Sequence, residues 1–345
     1  MDKAQNIVKK INIKIQIRVD KLKVIILFNS KTFWSILVQF DSKKVSFGRH
    51  ETFILRYSWL SKGFHEFTQN PNIFSDEDAT VTLGVGKNMV LSIKAWLAAC
   101  QLITISSDGR QLDSTRVGEL IFDESGYDPY FEDEGTIWII HWLLSSNAQL
   151  ATAFFWFFNN YHKQEFTSDE ALLSLIDFVN QDIQKTVSKN TLKQDISVLL
   201  RMYGRLTSNN NGIVEEALDS PLVLLQLISS GTSGKNFKST PSERKALPVE
   251  IFGYAMINLM EELSLDQIPI KDLMYTKDNS LSIGSVFRLT EDALISKLER
   301  LVSICPGVFE LRETAGIFQF YKLSEIKAND LLESYYQKSN TLKVA

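Results

Sequence analysis

The sequence is poor in the residues that staple a fold or announce a chemistry. Its 345 residues include two cysteines, Cys100 and Cys305, far apart in the chain. Two distant thiols build neither a disulfide framework nor a zinc cluster, and they suit a reducing compartment such as the cytoplasm. Four histidines are present, but there is no His-Glu-x-x-His pair, no serine nucleophile elbow and no clear PD-(D/E)xK signature. No single motif therefore declares a hydrolase. A secretory leader is not expected either, because the apolar run Val24–Phe28 is short and ringed by charge. The net charge of −4 does not favour nucleic acid for the molecule as a whole.

Charge is also missing locally. From Ile137 to Phe158, IWIIHWLLSSNAQLATAFFWFF, 22 consecutive positions carry none. That length could span a bilayer, yet His141, Ser145, Ser146, Asn147, Gln149 and Thr152 place polar groups at its centre. Two buried helices, or one bent helix, in a soluble core are expected instead, with seven aromatics making this the densest core segment.

What is present is otherwise ordinary. A content of 44% hydrophobic and 23% charged residues supports a sizeable core, and the length allows two or three domains. Residues 1–45 hold ten Lys or Arg against Asp2, Asp20 and Asp41, a local +7. They read either as a basic arm reaching for phosphates or as an edge hairpin kept soluble by lysines. Residues 10–40 alternate apolar and polar with the period of strands, and from Ser46 the period becomes mainly helical. Ser229–Ser242, SSGTSGKNFKSTPS, reads as a linker, and Thr207–Gly212 as a shorter loop. Gly231, Gly234 and Lys235 lack the spacing of a P-loop.

The stretch from Phe74 to Ile103 contains Gly-x-Gly-x-Asn. Ser75 with Asp78 fits a capping box for a short helix to Leu83. Gly84 can end that helix in the left-handed conformation, and Asn88 is placed to cap a second one. In that second helix Met89, Ile93, Trp96 and Cys100 form an apolar stripe widened by Val90 and Leu97. Lys87, Asn88, Leu91, Ser92, Lys94 and Ala95 take the other face. A strand and a hairpin turn at Ser107-Asp108-Gly109 follow. This is the order of a winged helix-turn-helix, in which Lys87, Asn88 and Lys94 face a groove while Arg110 and Arg116 reach phosphates. A winged helix used only for packing remains the alternative, and a nucleotide cradle is disfavoured because the third glycine is absent. Val187–Arg205 and Phe287–Leu323 have similar outlines. The first has Ser188 or Asn190 as cap and Lys193, Gln194, Arg201 and Arg205 on display. The second has a helix capped by Thr290, a break at Pro306-Gly307 and an alternating hairpin.

Two clusters could carry chemistry. In Phe47–Phe53, FGRHETF, Arg49 could bind phosphate, His50 could exchange protons and Glu51 could orient His50 or a metal. Alternatively, Arg49 and Glu51 pair locally, with His50 capping the start of a helix. In Tyr127–Trp142, Asp128, Glu132, Asp133 and Glu134 lie close in sequence, with His141 two turns beyond Glu134. Adjacent carboxylates such as Glu132 and Asp133 can hold Mg²⁺. They can equally serve a helix N-terminus, with His141 a core residue.

Several segments resemble one bacterial family: FGRHETFILRYSWLSKG, DATVTLGVGKNMVLSIKAW, GYDPYFEDEGTIWIIHW, ATAFFWFFN, TLKQDISVLLRMY, SPLVLLQLI and VFRLTEDALISKLERL with TAGIFQF. The likeness runs over about residues 46–325 and excludes residues 1–45. It is to the SspB-like family, first described as a domain of unknown function, which includes the DNA-nicking subunit of the single-strand DNA phosphorothioation system. The resemblance implies a Mg²⁺-dependent nickase acting on double-stranded DNA in anti-phage defence. Implied partners are a cysteine desulfurase and sulfur-transfer proteins. The positions carried over are Arg49, His50, Glu51, Asp128, Glu132 and Asp133, the last two as metal ligands. A non-catalytic adaptor that recruits a modification complex is the rival.

The expected architecture is mainly α with small β elements, an α+β fold of winged-helix-like modules around a helical core. It divides into a β-rich basic extension (1–45), a winged-helix-like domain (46–125), a helical core (126–230), a linker (231–242) and a C-terminal winged-helix-like domain (243–345). A membrane association is not expected, and a homo-oligomer is left open.

Overall fold

The computed structural model describes residues 40–106, 111–205, 220–231, 235–275, 279–314 and 316–344. Contacts separate Met1–Leu37 from Val38–Ala345, and the second of these forms one compact unit. The strands expected in residues 10–39 lie outside the described residues, as do the loop Thr207–Gly212 and the hairpin tip at 107–110 with Arg110.

The unit is mainly helical with small sheets, an α+β fold. It opens with α1 (Tyr57–Gln69), a one-turn helix α2 (Ala79–Thr82), α3 (Lys87–Ala99), and an antiparallel pair, β1 (Ile103–Ile105) with β2 (Leu112–Ser114). The short helix, turn, second helix and strand pair expected from Phe74 onward are present, with α1 preceding them. Gly84 takes φ +61°, which lets the chain turn between α2 and α3 without a Cβ penalty. The local details differ. Ser75 ends a 3-10 turn (Ile73–Ser75) and caps nothing. Asp76 instead accepts the Asp78 N–H at 3.1 Å and the Asn70 side chain at 3.0 Å, so an Asx turn replaces the capping box. Gly86, not Asn88, is the N-cap of α3. Ser92, expected on the outer face, is buried and donates to the His50 carbonyl at 3.0 Å.

Next come α4 (Arg116–Phe122), α5 (Glu134–Ser146) and α6 (Thr152–Asn159). The uncharged stretch is therefore two helices, and nearly every residue of both is buried. Among the described residues no helix is long and apolar enough to cross a membrane. After β3 (Glu165–Thr167) comes α7 (Ser168–Asp182), started by a Thr167–Glu170 capping box. Helix α8 (Lys189–Tyr203) begins at Ser188, whose hydroxyl accepts the Thr191 N–H as expected.

The stretch read as a linker contains β5 (Ile228–Ser230) and β6 (Asn236–Lys238), which with β3 and β4 (Gly204–Arg205) form a sheet ordered β3-β6-β5-β4. Phe237 explains why polar flanks do not leave it loose. It is buried and stacks on Phe166 with centroids 5.9 Å apart. The chain ends with α9 (Val249–Leu263), β7 (Gln267–Pro269), two short helices α10 (Ile270–Met274) and α11 (Ile283–Val286), and α12 (Glu291–Ile304) capped by Thr290. The hairpin β8 (Phe309–Thr314) with β9 (Ile317–Lys322) and α13 (Ala328–Val344) follow, with β9 central in a sheet ordered β7-β9-β8.

The C-terminal elements share the core of α5 and α6 through polar pins. Arg288 is buried, and no carboxylate pairs with it among the described residues. Its guanidinium donates to the carbonyls of Phe157, Phe158, Tyr161 and Ser285 and to the Ser239 hydroxyl, at 2.8–3.1 Å. Three of these carbonyls lie at the end of α6, where backbone acceptors lack helical donors. Burial pulls the Arg288 guanidinium down to about 9, and nearby Arg244 adds to the effect.

Candidate functional site

The two clusters picked from the sequence take different forms in space. Asp128 is buried, and its carboxylate accepts the backbone N–H groups of Glu132 at 2.8 Å and Asp133 at 3.0 Å. Asp133 is the N-cap of α5. It accepts from Gly135 N at 2.8 Å, from the Tyr335 hydroxyl at 2.6 Å and from the Ser339 hydroxyl at 3.3 Å. Burial, and then the bond to Asp133, pushes the Tyr335 hydroxyl well up. Glu132 and Glu134 are exposed. Asp128 and Asp133 thus spend their lone pairs on closing a turn, which favours the capping reading of this cluster. Among the described residues no group of three or more His, Cys, Asp or Glu side chains is placed to hold a metal ion. The described residues therefore do not form a preformed Mg²⁺ cage.

His141 is a core residue. The Tyr203 hydroxyl lies 2.8 Å from its Nδ1 and the Val286 carbonyl 2.9 Å from its Nε2, so Nε2–H donates to the carbonyl and Nδ1 accepts from the hydroxyl. Burial pushes the ring down to about 3, against the bond to Val286 and with help from Arg288. The ring is fully buried whereas Glu134 is exposed, so the two do not face a common space.

Residues 46–53 form the more unusual feature. They are not the start of a helix, since α1 begins only at Tyr57. Gly48, Glu51 and Thr52 have φ of +70°, +48° and +65°. A β-branched residue in that region is a true outlier, kept only where its surroundings over-determine it. The surroundings are three helices. From α6, Thr152 Oγ1 accepts Ser46 N–H at 3.0 Å. From α3, Ser92 Oγ and Trp96 Nε1 donate to the carbonyls of His50 and Phe53, at 3.0 and 3.3 Å. From α8, Asp195 accepts Gly48 N–H at 2.9 Å and His50 Nε2–H at 2.6 Å, while Arg201 donates to the Thr52 carbonyl at 2.8 Å. The Thr52 N–H donates to His50 Nδ1 at 3.1 Å. That bond requires Nδ1 to be an acceptor and therefore places the ring proton on Nε2, facing Asp195.

Both nitrogens of His50 are accordingly used inside the protein, with the ring stacked on Trp96 at 5.7 Å. In this arrangement His50 holds the loop and has no nitrogen left to exchange a proton with a substrate. The space beside it, about 20 Å³, takes a water at most, so a ligand would have to meet the loop from outside. What the loop presents outward is Arg49, Glu51 and Thr52, all exposed. Asp195, buried and 145 residues from His50, was not singled out in the sequence. Its one local signal is an acidic residue among the apolar positions of an amphipathic helix.

Of the positions expected to face DNA, Lys87 and Asn88 are exposed and Lys94 is half-buried on α3. Arg116 is exposed but lies 3.7 Å from Glu119 and lines a cleft of about 680 Å³ whose other charged residues are Asp113, Glu119, Asp123 and Glu333. Four carboxylates around one guanidinium weaken any attraction of phosphate there.

The described unit is thus an α+β protein with an outward loop locked by side chains from three helices. The chain belongs to the family described as "Protein of unknown function (DUF4007)", which matches residues 47–336. It is similar to a magnesium ion-bound SspB crystal structure, with 26% identity over 85% of this chain and 88% of that one, at a TM-score of 0.75. A second SspB crystal structure is 25% identical, covering 86% of this chain and 90% of that one, also at 0.75. Among curated proteins none matches the chain.

Proposed function

We propose that this protein binds double-stranded DNA and nicks one strand, with Mg²⁺, within a bacterial phosphorothioate modification and anti-phage defence system, acting alongside sulfur-transfer proteins in the cytoplasm. The observation that carries this reading is the likeness to SspB, which extends over 85% of the chain. In this reading Arg49 on the locked loop grips a backbone phosphate, because an exposed guanidinium on fixed backbone is a ready phosphate ligand. The first helical unit acts as a winged helix, with Lys87, Asn88 and Lys94 of α3 turned to the duplex. Glu51 and Glu132, exposed carboxylates, are the acidic groups available to the chemistry. The Mg²⁺ dependence comes from the magnesium-bound relative, not from a ligand set in this chain.

The engagement of Asp128 and Asp133 in backbone bonds favours a second reading, a non-catalytic adaptor that brings a modification complex to DNA. One assay separates the two. Purified protein is incubated with supercoiled plasmid and Mg²⁺, with or without EDTA. Open-circle product that needs Mg²⁺ and is lost in Glu51→Ala or Glu132→Ala supports the nickase. Salt-sensitive binding without any open circle supports the adaptor.

A further inference from the structure

We infer that Asp195 and Arg201 of α8 are positioning residues for the DNA grip, holding the Gly48–Thr52 loop so that Arg49 stands outward. The inference rests on the phosphate-binding role proposed above for Arg49. Arg49 lies between two residues that Asp195 holds at once, Gly48 through its N–H and His50 through Nε2–H. Arg201 fixes the far end through the Thr52 carbonyl. The conformation so held is one the chain would not choose alone. Gly48 has φ +70°, and a Cβ there would come within 2.8 Å of Thr191 on the same helix. Thr52 has φ +65°. A loop locked before the ligand arrives loses little freedom on binding, so the lock acts as affinity at Arg49.

An isosteric change tests the pin. In Asp195→Asn one orientation keeps the amide oxygen on both Gly48 N–H and His50 Nε2–H but sets the NH₂ against Gly48 N–H where Oδ2 now lies, at 3.2 Å. The flipped orientation sets the NH₂ against both donors, so either way a donor meets a donor and the pin is weakened. Arg201→Gln, on the accessible side of α8, is the second variant. Binding of a labelled duplex is measured across a salt series, with amide exchange of residues 46–53 and thermal unfolding followed in parallel. Arg49→Ala is expected to bind about tenfold more weakly and to lower the salt slope by about one. Asp195→Asn and Arg201→Gln are expected to match that loss and that slope change, with faster exchange confined to the loop. The double variant Arg49→Ala/Asp195→Asn should be no weaker than Arg49→Ala, because the second residue acts only through the first.

Wild-type affinity and slope in both α8 variants despite faster loop exchange would overturn the inference while leaving the DNA reading intact. So would losses that add in the double variant. Absence of duplex binding by the wild-type protein would overturn both.

Discussion

His50 and His141 are both buried, and α8 supplies a partner to each: Asp195 to the first, Tyr203 to the second. The surroundings separate them. His141 sits among Phe158, Phe287 and Trp138, bonded to a tyrosine hydroxyl and a carbonyl, and its loss would open the centre of the molecule. His50 lies buried under a loop with three left-handed residues, from which the side chains of Arg49, Glu51 and Thr52 are exposed. Burial of a histidine therefore says little by itself. What it is bonded to says whether it fills a core or holds a surface in shape.

Variants can break that contrast or sharpen it. The largest effect is expected in His141→Ala, which leaves a cavity and two unpaired polar groups. A loss of about 3–5 kcal/mol in urea unfolding is predicted, with exchange rising across the whole core. Acid should act on the same residue. The unfolded chain takes up a proton near the ordinary value of 6.5, whereas the folded ring resists down to about 3. Stability should therefore fall as pH drops through that window, by up to about 1.4 kcal/mol per pH unit, and His141→Gln should show a shallower decline. His50→Ala should cost less, about 2–3 kcal/mol, because the Asp195 carboxylate keeps the Gly48 N–H. Its faster exchange should be confined to residues 46–53, and a core-wide response would erase the distinction. Gly48→Ala should cost about 1–2 kcal/mol by forcing a Cβ into the left-handed region. Arg49→Ala should move stability by less than about 0.5 kcal/mol while weakening DNA binding, as expected of an exposed functional side chain.

The features legible in the sequence were those written over a few residues. Ser188 and Thr290 cap their helices, Gly84 turns left-handed and the last hairpin forms, because each depends on its immediate neighbours. The uncharged stretch folded as two buried helices because its central polar cluster falls at the break between them. Local pattern misleads where distant residues decide. Polar Ser229–Ser242 looked like a linker, yet Phe237 finds Phe166 and makes it a strand pair. FGRHETF looked like a helix start, yet Ser92, Thr152, Asp195 and Arg201 hold it as a loop. The acidic run left a metal and a helix cap both open, and the bonds of Asp128 and Asp133 appear only in the folded chain. No local pattern encodes a partner 145 residues away.

Arg288 has a consequence for how the chain is made. The acceptors it satisfies at the end of α6 are synthesised some 130 residues before the guanidinium that serves them. Until that arginine leaves the ribosome, the carbonyls of Phe157, Phe158 and Tyr161 lack the donor that serves them in the folded protein. The nascent first two-thirds is thus an unfinished body awaiting its keystone, and a fragment stopped near residue 230 should fall to proteases that the full chain resists.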